Sequence, residues 1–468
     1  MISLTLTDLA AAVGGRLIVA QPDTTETLFD GTVRTDSRLV TEGDLFFALP
    51  GSDTDGRLFV GRARENGAAV AVVEREVPSE VTQIVVSNAV AALSALARYV
   101  VAEVRSRGAL RVIGITGSNG KTTTKNMLQQ MLSTAGETVS PEGSFNNHVG
   151  APLSMLGITI ATKFLIIEMG ASGRGEIARL VQIAIPDVAV VLSVGLAHAG
   201  EFGGIEQTAR AKAEIVTELP ESAIAVLNSD DQRVALMSAL TRATILRFGL
   251  DSPAQVRASA LEATASGTTF TLHLDNKERF VSLQILGEHH VMNALAAISV
   301  CRALSVELDP AIAALESVVR AERWRMEVLH PGNDVMVIND AYNASPDSMA
   351  AALKTLAQLT RGNRRSVAIL GEMAELGEFA QDEHDRIGRL AVRLNIAKLI
   401  VVGHGARHIH NAAGLEGSWD GESRLVATAA EAFDVVKDQL RPGDIVLVKS
   451  SKSAGLRLLG DQLGGVTE

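Results

Sequence analysis

The sequence predicts an α/β protein of three units. These are a small N-terminal α/β domain over residues 1–86, a central domain with a mostly parallel sheet over 87–321, and a Rossmann-like C-terminal α/β domain over 322–468. Three observations predict it. β-branched apolar runs alternate with helical periodicity along most of the chain. Aromatics are only 3% of a chain that is 47% hydrophobic, as in parallel sheets filled by Val, Ile, Leu and Ala. The polar clusters fall where the apolar runs end, and in open parallel sheets ligands bind beyond those strand ends.

In the first unit, Leu6–Val13 reads as a short amphipathic helix stopped by Gly14 and Gly15. Strand-like runs follow at Leu45–Leu49 and Ala69–Val73. Arg34, Asp36, Ser37 and Arg38 form a polar knot. Composition alone favours a salt-bridged turn there; the other reading is a cradle for a phosphate or nucleotide. A helix from Asn88 to about Arg105 leads into the central unit.

The most informative stretch is Val112–Lys125, VIGITGSNGKTTTK. A β-branched run feeds a turn, Gly117-Ser118-Asn119-Gly120, then Lys121 and the threonines Thr122, Thr123 and Thr124. A helical pattern carrying Met127, Leu128, Met131 and Leu132 follows. Strand, glycine turn, Lys-Thr and helix is the plan of a phosphate-binding loop. Glycines let successive N–H groups point at phosphate oxygens, the helix N-terminus adds positive potential, and a threonine hydroxyl can ligate Mg²⁺. Position 115 is Ile where the longer pattern has glycine, so the core is G-x-x-G-K-T. The loop predicts nucleoside triphosphate binding and makes the central unit a P-loop ATPase domain.

Two further apolar runs end in candidate ligands: Phe164–Ile167 in Glu168, and Val188–Val194 in Gly195-Leu196-Ala197-His198. A carboxylate is a natural Mg²⁺ ligand and a histidine a less usual one. Asn146 and Asn147 precede a Gly-x-Pro turn and read either as turn chemistry or as contacts to a polar substrate. Lys212, read alone, is a solvated lysine beside Glu214. Residues 255–285 read as an antiparallel insertion with a turn at Gly267. His289 and His290 open a helix and, without an i, i+4 partner, read as caps or packing.

The third unit alternates cleanly, with strands at Val335–Asn339, Arg365–Leu370, Lys398–Val402 and Asp444–Val448. It has no G-x-G-x-x-G after its first strand, so nothing points to a dinucleotide. Its strand ends carry Asn339–Ser348, Gly371–Glu378 and Lys449–Ser453.

Net charge is -11, which argues against a broad nucleic-acid surface. The N-terminus has no basic n-region, and Ile183–Ala197 is interrupted by Pro186, Asp187 and Gly195, so neither a signal peptide nor a membrane span is expected. The composition fits a soluble cytoplasmic enzyme, and a monomer is the expectation. The single cysteine, Cys301, sits in a helical pattern and reads as core packing.

Together these motifs resemble the Mur ligase family over nearly the whole chain. They are DSR at Asp36–Arg38, GSNGKTT at Gly117–Thr123, NNHVGAPL at Asn146–Leu153, EMGAS at Glu168–Ser172 and GLAHAG at Gly195–Gly200. AKAEI at Ala211–Ile215, NDAYNASPDSM at Asn339–Met349, GEMAELGE at Gly371–Glu378 and the Lys449 cluster complete the set. The last three point to the branch that adds D-alanyl-D-alanine to a UDP-N-acetylmuramoyl-tripeptide through an acyl phosphate, with ATP and Mg²⁺. The alternatives are the sister branch that adds the third amino acid, whose D-N-P-[RA]-type motif is missing from the third unit; a folylpolyglutamate synthase, which lacks the DSR domain; and a non-ligase P-loop ATPase.

The resemblance implies roles. Gly117 to Gly120, Lys121, Thr122 and Thr123 hold the ATP phosphates. Thr122, Glu168 and His198 ligate metal, joined by Lys212 as a carbamylated lysine. Asn293 contacts adenine, Arg325 reaches the phosphates from the third unit, and Asp340 and Asn343 contact nucleotide. Ser37 and Arg38 contact the UDP side, and Asn146 and Asn147 form the substrate-binding turn. Lys121, Glu168, His198 and Lys212 are the catalytic set. The third unit is implied to bind the dipeptide and swing onto ATP. Three positions depart from the family pattern: Trp324 stands where glycine is common, Lys452 where arginine is common, and His290 where asparagine is common.

Overall fold

In the computed structural model of the 468-residue chain, residues 1–20, 28–51, 54–196, 200, 203–251, 253–264, 266–319, 322–362, 364–417 and 419–466 are described. Among them the chain forms a five-stranded, a nine-stranded and a six-stranded sheet, and a pair of two-residue strands, Leu4–Thr5 and Leu28–Phe29.

The helix Leu6–Val13 forms as its sequence requires. Thr5 caps it, accepting from Asp8 N–H at 3.0 Å, and Gly14 ends it in a left-handed conformation at φ 64°. The five-stranded sheet runs Arg16–Ile18, Thr82–Val85, Val70–Val73, Leu45–Phe47, Val33–Arg34, antiparallel at the first pair and parallel beyond it. Helix Ala89–Arg107, capped by Asn88, buries Leu93, Leu96, Val100 and Val104. Its apolar face belongs to one continuous core with Leu9 of the helix Leu6–Val13, Phe47 of the first sheet, and Val112 and Leu165 of the second. The first sheet is therefore fixed to the central one by shared packing.

The central sheet runs Lys277–Leu283, Gly267–Leu274, Val256–Thr264, Thr244–Gly249, Ile224–Asn228, Val188–Val191, Arg111–Thr116, Phe164–Glu168, Thr138–Val139. Its middle is parallel and covered on both faces; Val188 to Val191 are each at most 1% exposed. Each such valine contributes about 1.5–3 kcal/mol by leaving water. The chain leaves Arg111–Thr116 through helix Lys121–Ser133 toward Phe164–Glu168, then returns on the other side of Arg111–Thr116 as Val188–Val191. Strand order reverses there, and the reversal opens a crevice beyond the carboxyl ends.

Two expectations are corrected. The strand expected to reach Val194 ends at Val191, because the next carbonyls are taken elsewhere: Leu192 O accepts from Asn228 Nδ2 at 2.7 Å and Ser193 O from Ser118 N–H at 2.9 Å. The antiparallel segment expected as an insertion is a three-stranded extension of the central sheet, joined through the parallel pair Phe248–Val256.

The third sheet runs Glu327–Gly332, Val335–Asn339, Ile445–Lys449, Ser366–Leu370, Lys398–Val402, Glu422–Val426, parallel except for its first pair. Its outer strands were not expected. Glu327–Gly332 joins Val335–Asn339 through Asn333 and Asp334, both left-handed at φ 51° and 53°, as a tight hairpin turn needs. Glu422–Val426 is a polar, largely exposed edge strand without apolar alternation. Among the described residues no helix is long and apolar enough to cross a membrane. Cys301 is buried, and burial pushes its thiol up to about 12, so it is core packing as expected.

Candidate active site

The phosphate-binding loop is built where the crevice opens. Gly120 holds φ 86° and caps helix Lys121–Ser133; a Cβ there would collide with Asn293 Oδ1. The loop is tied to the neighbouring strand end. Gly195 N–H donates to Ser118 Oγ at 2.8 Å and Asn119 N–H to Ser193 Oγ at 3.4 Å. Lys121 Nζ folds back to donate to Gly117 O at 2.6 Å. Thr122 Oγ1 donates to Glu168 Oε2 at 3.3 Å, so the loop and the glutamate ending the adjacent strand meet as expected. Thr123 is buried one residue further along the same helix.

Burial controls the charges. Glu168 is fully buried, and desolvation raises its carboxyl pKa, opposed by Lys121, Lys125 and Arg325. The Lys121 ammonium is pushed down by desolvation and supported by Glu168. Lys212, on helix Ile205–Thr217, is 4% exposed, and desolvation followed by the Lys121 charge drives its pKa well below the ordinary lysine value. The solvated pair with Glu214 does not form. The Glu214 carboxylate instead accepts from Gly175 N–H at 2.7 Å and Ala178 N–H at 3.1 Å, at the start of helix Glu176–Ile183.

The third unit lies directly over this loop. Arg325 Nη2 donates to Thr122 Oγ1 at 3.2 Å, and its guanidinium stacks 4.1 Å over the Tyr342 ring. The Tyr342 hydroxyl bonds Ser144 Oγ, and Ser345 Oγ donates to Asn119 Oδ1 at 2.9 Å. Asp340 accepts from Lys449 Nζ at 2.6 Å through one oxygen and from Met326 N–H at 3.0 Å through the other. Lys449 also donates to Asn343 O at 3.1 Å. A cavity of about 390 Å³ lies between the units, lined by Ser118 to Thr123, Asn146, Asn293, Arg325, Asp340 and Asn343. A second cavity of about 500 Å³ adjoins it past Gly120 and Asn293, walled by Leu192, Phe248 and Met292.

Other expected residues fall elsewhere. Ser37 and Arg38 do not line the cavity. Asp36 caps their turn and binds the Arg38 side chain at 2.6 Å, which lowers the Asp36 carboxyl to about 2. That is the salt-bridged turn composition favoured, with Arg38 reaching solvent. Asn147 is exposed, and its Oδ1 accepts from Val149 N–H at 3.2 Å and Gly150 N–H at 2.8 Å, which is turn chemistry. His198 lies outside the described residues.

Several site residues escaped the sequence reading. His289 and His290, expected as caps or packing, line the first cavity, and His290 Nδ1 pairs with Asn293 Nδ2 at 3.2 Å. Burial holds His289 down at about 4 and drives His290 well below the ordinary imidazole value, which favours the neutral ring in both. Lys125 is 2% exposed and donates to Pro141 O at 2.7 Å and Gly143 O at 3.0 Å, tying the helix to the loop that carries Ser144 and Asn146. A lysine four residues past Lys121, on the helix face that meets the sheet, was the available signal.

Glu168 Oε1 is buried and has no hydrogen-bond partner. A carboxylate oxygen beside a threonine hydroxyl is a hard-donor pair that fits Mg²⁺. Among the described residues no cluster of three His, Cys, Asp or Glu could hold a metal by itself. Mg²⁺ does not require one, since it is held by one or two carboxylates together with substrate phosphates.

The sequence matches three family patterns end to end: "Mur ligase family, catalytic domain" over residues 32–110, "Mur ligase middle domain" over 115–301, and "Mur ligase, glutamate ligase domain" over 324–452. A UDP-N-acetylmuramoyl-tripeptide–D-alanyl-D-alanine ligase of Mycobacterium bovis is 42% identical over 99% of this chain and 98% of its own length. The chain belongs to the Mur ligase family. The enzyme of that same description from Bacillus subtilis is 33% identical over 98% of this chain and 97% of its own. Among solved structures, MurF from Acinetobacter baumannii superposes on this Mur ligase with a TM-score of 0.89 at 31% identity, covering 99% of both chains. MurF from Thermotoga maritima, solved in complex with ADP, gives 0.81 at 28% identity over 93% of this chain and 97% of that one. The expected three-domain α/β architecture is thus the family's own.

Proposed function

We propose that this Mur ligase joins D-alanyl-D-alanine to the tripeptide of UDP-N-acetylmuramoyl-tripeptide at the expense of ATP, in cytoplasmic synthesis of peptidoglycan precursors. The observation that carries the reading is the meeting, across one cavity, of Lys121 and Thr122, with Glu168 bonded behind Thr122, and Arg325, Asp340 and Lys449 of the third unit. A simple nucleotide switch has no need of polar strand ends from two sheets facing one another. Whole-length identity to relatives described as this ligase supports the same branch over the sister that adds the third amino acid.

The chemistry follows from what a carboxylate lacks. It resists an amine because oxide is a poor leaving group. Attack of the tripeptide carboxylate oxygen on the γ-phosphorus of ATP breaks the bond to ADP and gives an acyl phosphate. The dipeptide amine then adds to the acyl carbon, loses a proton, and the tetrahedral centre collapses to amide and phosphate. Lys121 and the loop N–H groups hold the transferring phosphoryl, and Arg325 spreads its charge from the opposite wall. Asn293 sits between the two cavities, where the second, apolar-walled one suits a base. Asp340 and Asn343, fixed by Lys449, hold the nucleotide from the third unit.

Thr122 and Glu168 would hold Mg²⁺, with His198 and Lys212 as further ligands; the ion neutralises phosphate charge. A deprotonated amine is the form that adds carbon dioxide, so the low pKa of Lys212 supports its carbamylation. The 1–86 unit, with Ser37 and Arg38, takes the UDP end; the 87–321 unit holds ATP, with Asn146 and the Asn147-capped turn toward the tripeptide; the 322–468 unit takes the dipeptide. The enzyme acts as a monomer.

The test is phosphate release by the purified enzyme with ATP and UDP-N-acetylmuramoyl-tripeptide. Release that needs added D-alanyl-D-alanine is expected. Release at equal rate without the dipeptide would sink the ligase reading.

A further inference from the structure

Arg325 reaches the phosphate loop from a backbone that most residues avoid. Its neighbours Trp324 and Met326 are both left-handed, at φ 58° and 51°. Each turned peptide is held by a named partner. Trp324 N–H donates to Glu327 Oε2 at 2.9 Å, Trp324 O accepts from Tyr342 N–H at 3.1 Å, and Met326 N–H donates to Asp340 Oδ1 at 3.0 Å.

The indole is gripped separately, from the last helix of the chain, Leu456–Leu463. Trp324 Nε1–H donates to the Asp461 carboxylate, at 3.1 Å to Oδ1 and 2.9 Å to Oδ2. Asp461, 8% exposed, also accepts from Arg323 Nη2 at 2.9 Å and Asn339 Nδ2 at 3.0 Å. The guanidiniums of Arg323 and Arg457 lie 4.9 and 5.2 Å from the indole ring. Neither Trp324 nor Asp461 lines the cavity; Arg325, between the two turned residues, does. Its Nε is buried without a partner, so between the backbone and the Thr122 contact the guanidinium is held only by the Tyr342 ring, and the backbone sets where it starts from.

We propose that Trp324 and Asp461 form a positioning clamp for Arg325, through which the C-terminal helix sets how far that arginine reaches over the phosphate loop. The large side chain at position 324 gives the left-handed peptide an anchor that glycine would lack. The inference rests on the reading of Arg325 as a contact to the ATP phosphates.

Steady-state kinetics of the full-length enzyme test it with Trp324→Phe, Asp461→Ala, Arg325→Ala and the double variant Asp461→Ala/Arg325→Ala. Trp324→Phe removes the indole N–H and one ring while keeping an aromatic side chain, so it carries the test if Asp461→Ala fails to fold. Each clamp variant is expected to lower kcat/KM for ATP about tenfold, the size of one lost charge-assisted hydrogen bond, with KM for D-alanyl-D-alanine moved less than about twofold. In the Arg325→Ala background, Asp461→Ala should lower kcat/KM for ATP no further. ATP kinetics unchanged in Trp324→Phe overturn the clamp, as does an additional loss in the Arg325→Ala background, which marks a general structural role. Unchanged ATP kinetics in Arg325→Ala alone would overturn the phosphate-contact reading beneath it, and so separate the two failures.

Discussion

Gly120→Ala is the smallest change that attacks the phosphate loop. Gly120 holds φ 86° as the cap of helix Lys121–Ser133, and alanine in that left-handed region costs about 1–2 kcal/mol. The added Cβ also collides with Asn293 Oδ1 and lies 3.3 Å from Leu192 Cδ1. Asn293 is 7% exposed and bonds His290 at 3.2 Å; pushing its amide off that partner leaves a buried polar group unpaired, about 1–3 kcal/mol more. The sum, about 2–5 kcal/mol, is a factor of roughly 30 to several thousand. It must appear either as lost loop geometry or as lost stability. Gly14→Ala is the control: Gly14 has φ 64° with open space around its Cβ position, so it carries the backbone cost alone. The assay is ATP kinetics by phosphate release, with thermal melting of each variant. Gly120→Ala should lower kcat/KM for ATP, by about thirtyfold or more where the cost falls on loop geometry, and melt lower where it falls on stability, while Gly14→Ala melts lower with unchanged ATP kinetics. Wild-type ATP kinetics together with an unchanged melt in Gly120→Ala would refute the claim that the loop is shaped around this glycine and Asn293.

Two further outcomes are expected. In buffer free of carbon dioxide and metal, the unfolded chain holds a proton on Lys212 more tightly than the native state does, because burial depresses the folded pKa well below the ordinary lysine value. That contribution to native stability is fully present only above the unfolded pKa and is lost as pH falls toward the folded one. Stability should therefore rise across this window by up to about 1.4 kcal/mol per pH unit, and Lys212→Met should remove that slope in urea melts at pH 7, 8 and 9; equal slopes would contradict it. Removing the bonds that seat the third unit, Tyr342 to Ser144 and Ser345 to Asn119, in the pair Tyr342→Phe/Ser345→Ala should enlarge the radius measured by scattering without nucleotide, and ADP should shrink it again. A radius equal to the wild type would count against those contacts as the hinge-closing set.

Local rules made much of this chain legible. Thr5 and Gly14 bracket the first helix, and the apolar runs before Gly117 and Glu168 are strands because nothing polar interrupts them. The strand-end positions of the phosphate loop, Glu168 and Asp340 could be read as well, since a parallel sheet brings its strand ends to one edge; Arg325, before an antiparallel strand, came only from the family resemblance. What failed to show was whatever depends on packing between units. Lys212 looked solvated because sequence does not say which face of an alanine-rich helix is covered. His289 and His290 looked like caps because their partners, Asn293 and the third unit, come from a turn later and from another sheet. The Asn333-Asp334 turn could have been found, but Pro331 and Gly332 before it hid the first strand of the hairpin. Trp324 looked like an isolated departure until Asp461, far along the chain, was seen to hold it.

The central claim is that the γ-phosphoryl group passes to a carboxylate and not to water. Labelling the terminal carboxylate of the tripeptide with oxygen-18 tests it directly. If an acyl phosphate forms and the amine displaces phosphate, one carboxylate oxygen leaves with the phosphorus, and the inorganic phosphate released in each turnover carries the label. Phosphate released without oxygen-18 while D-alanyl-D-alanine is being joined would contradict the account.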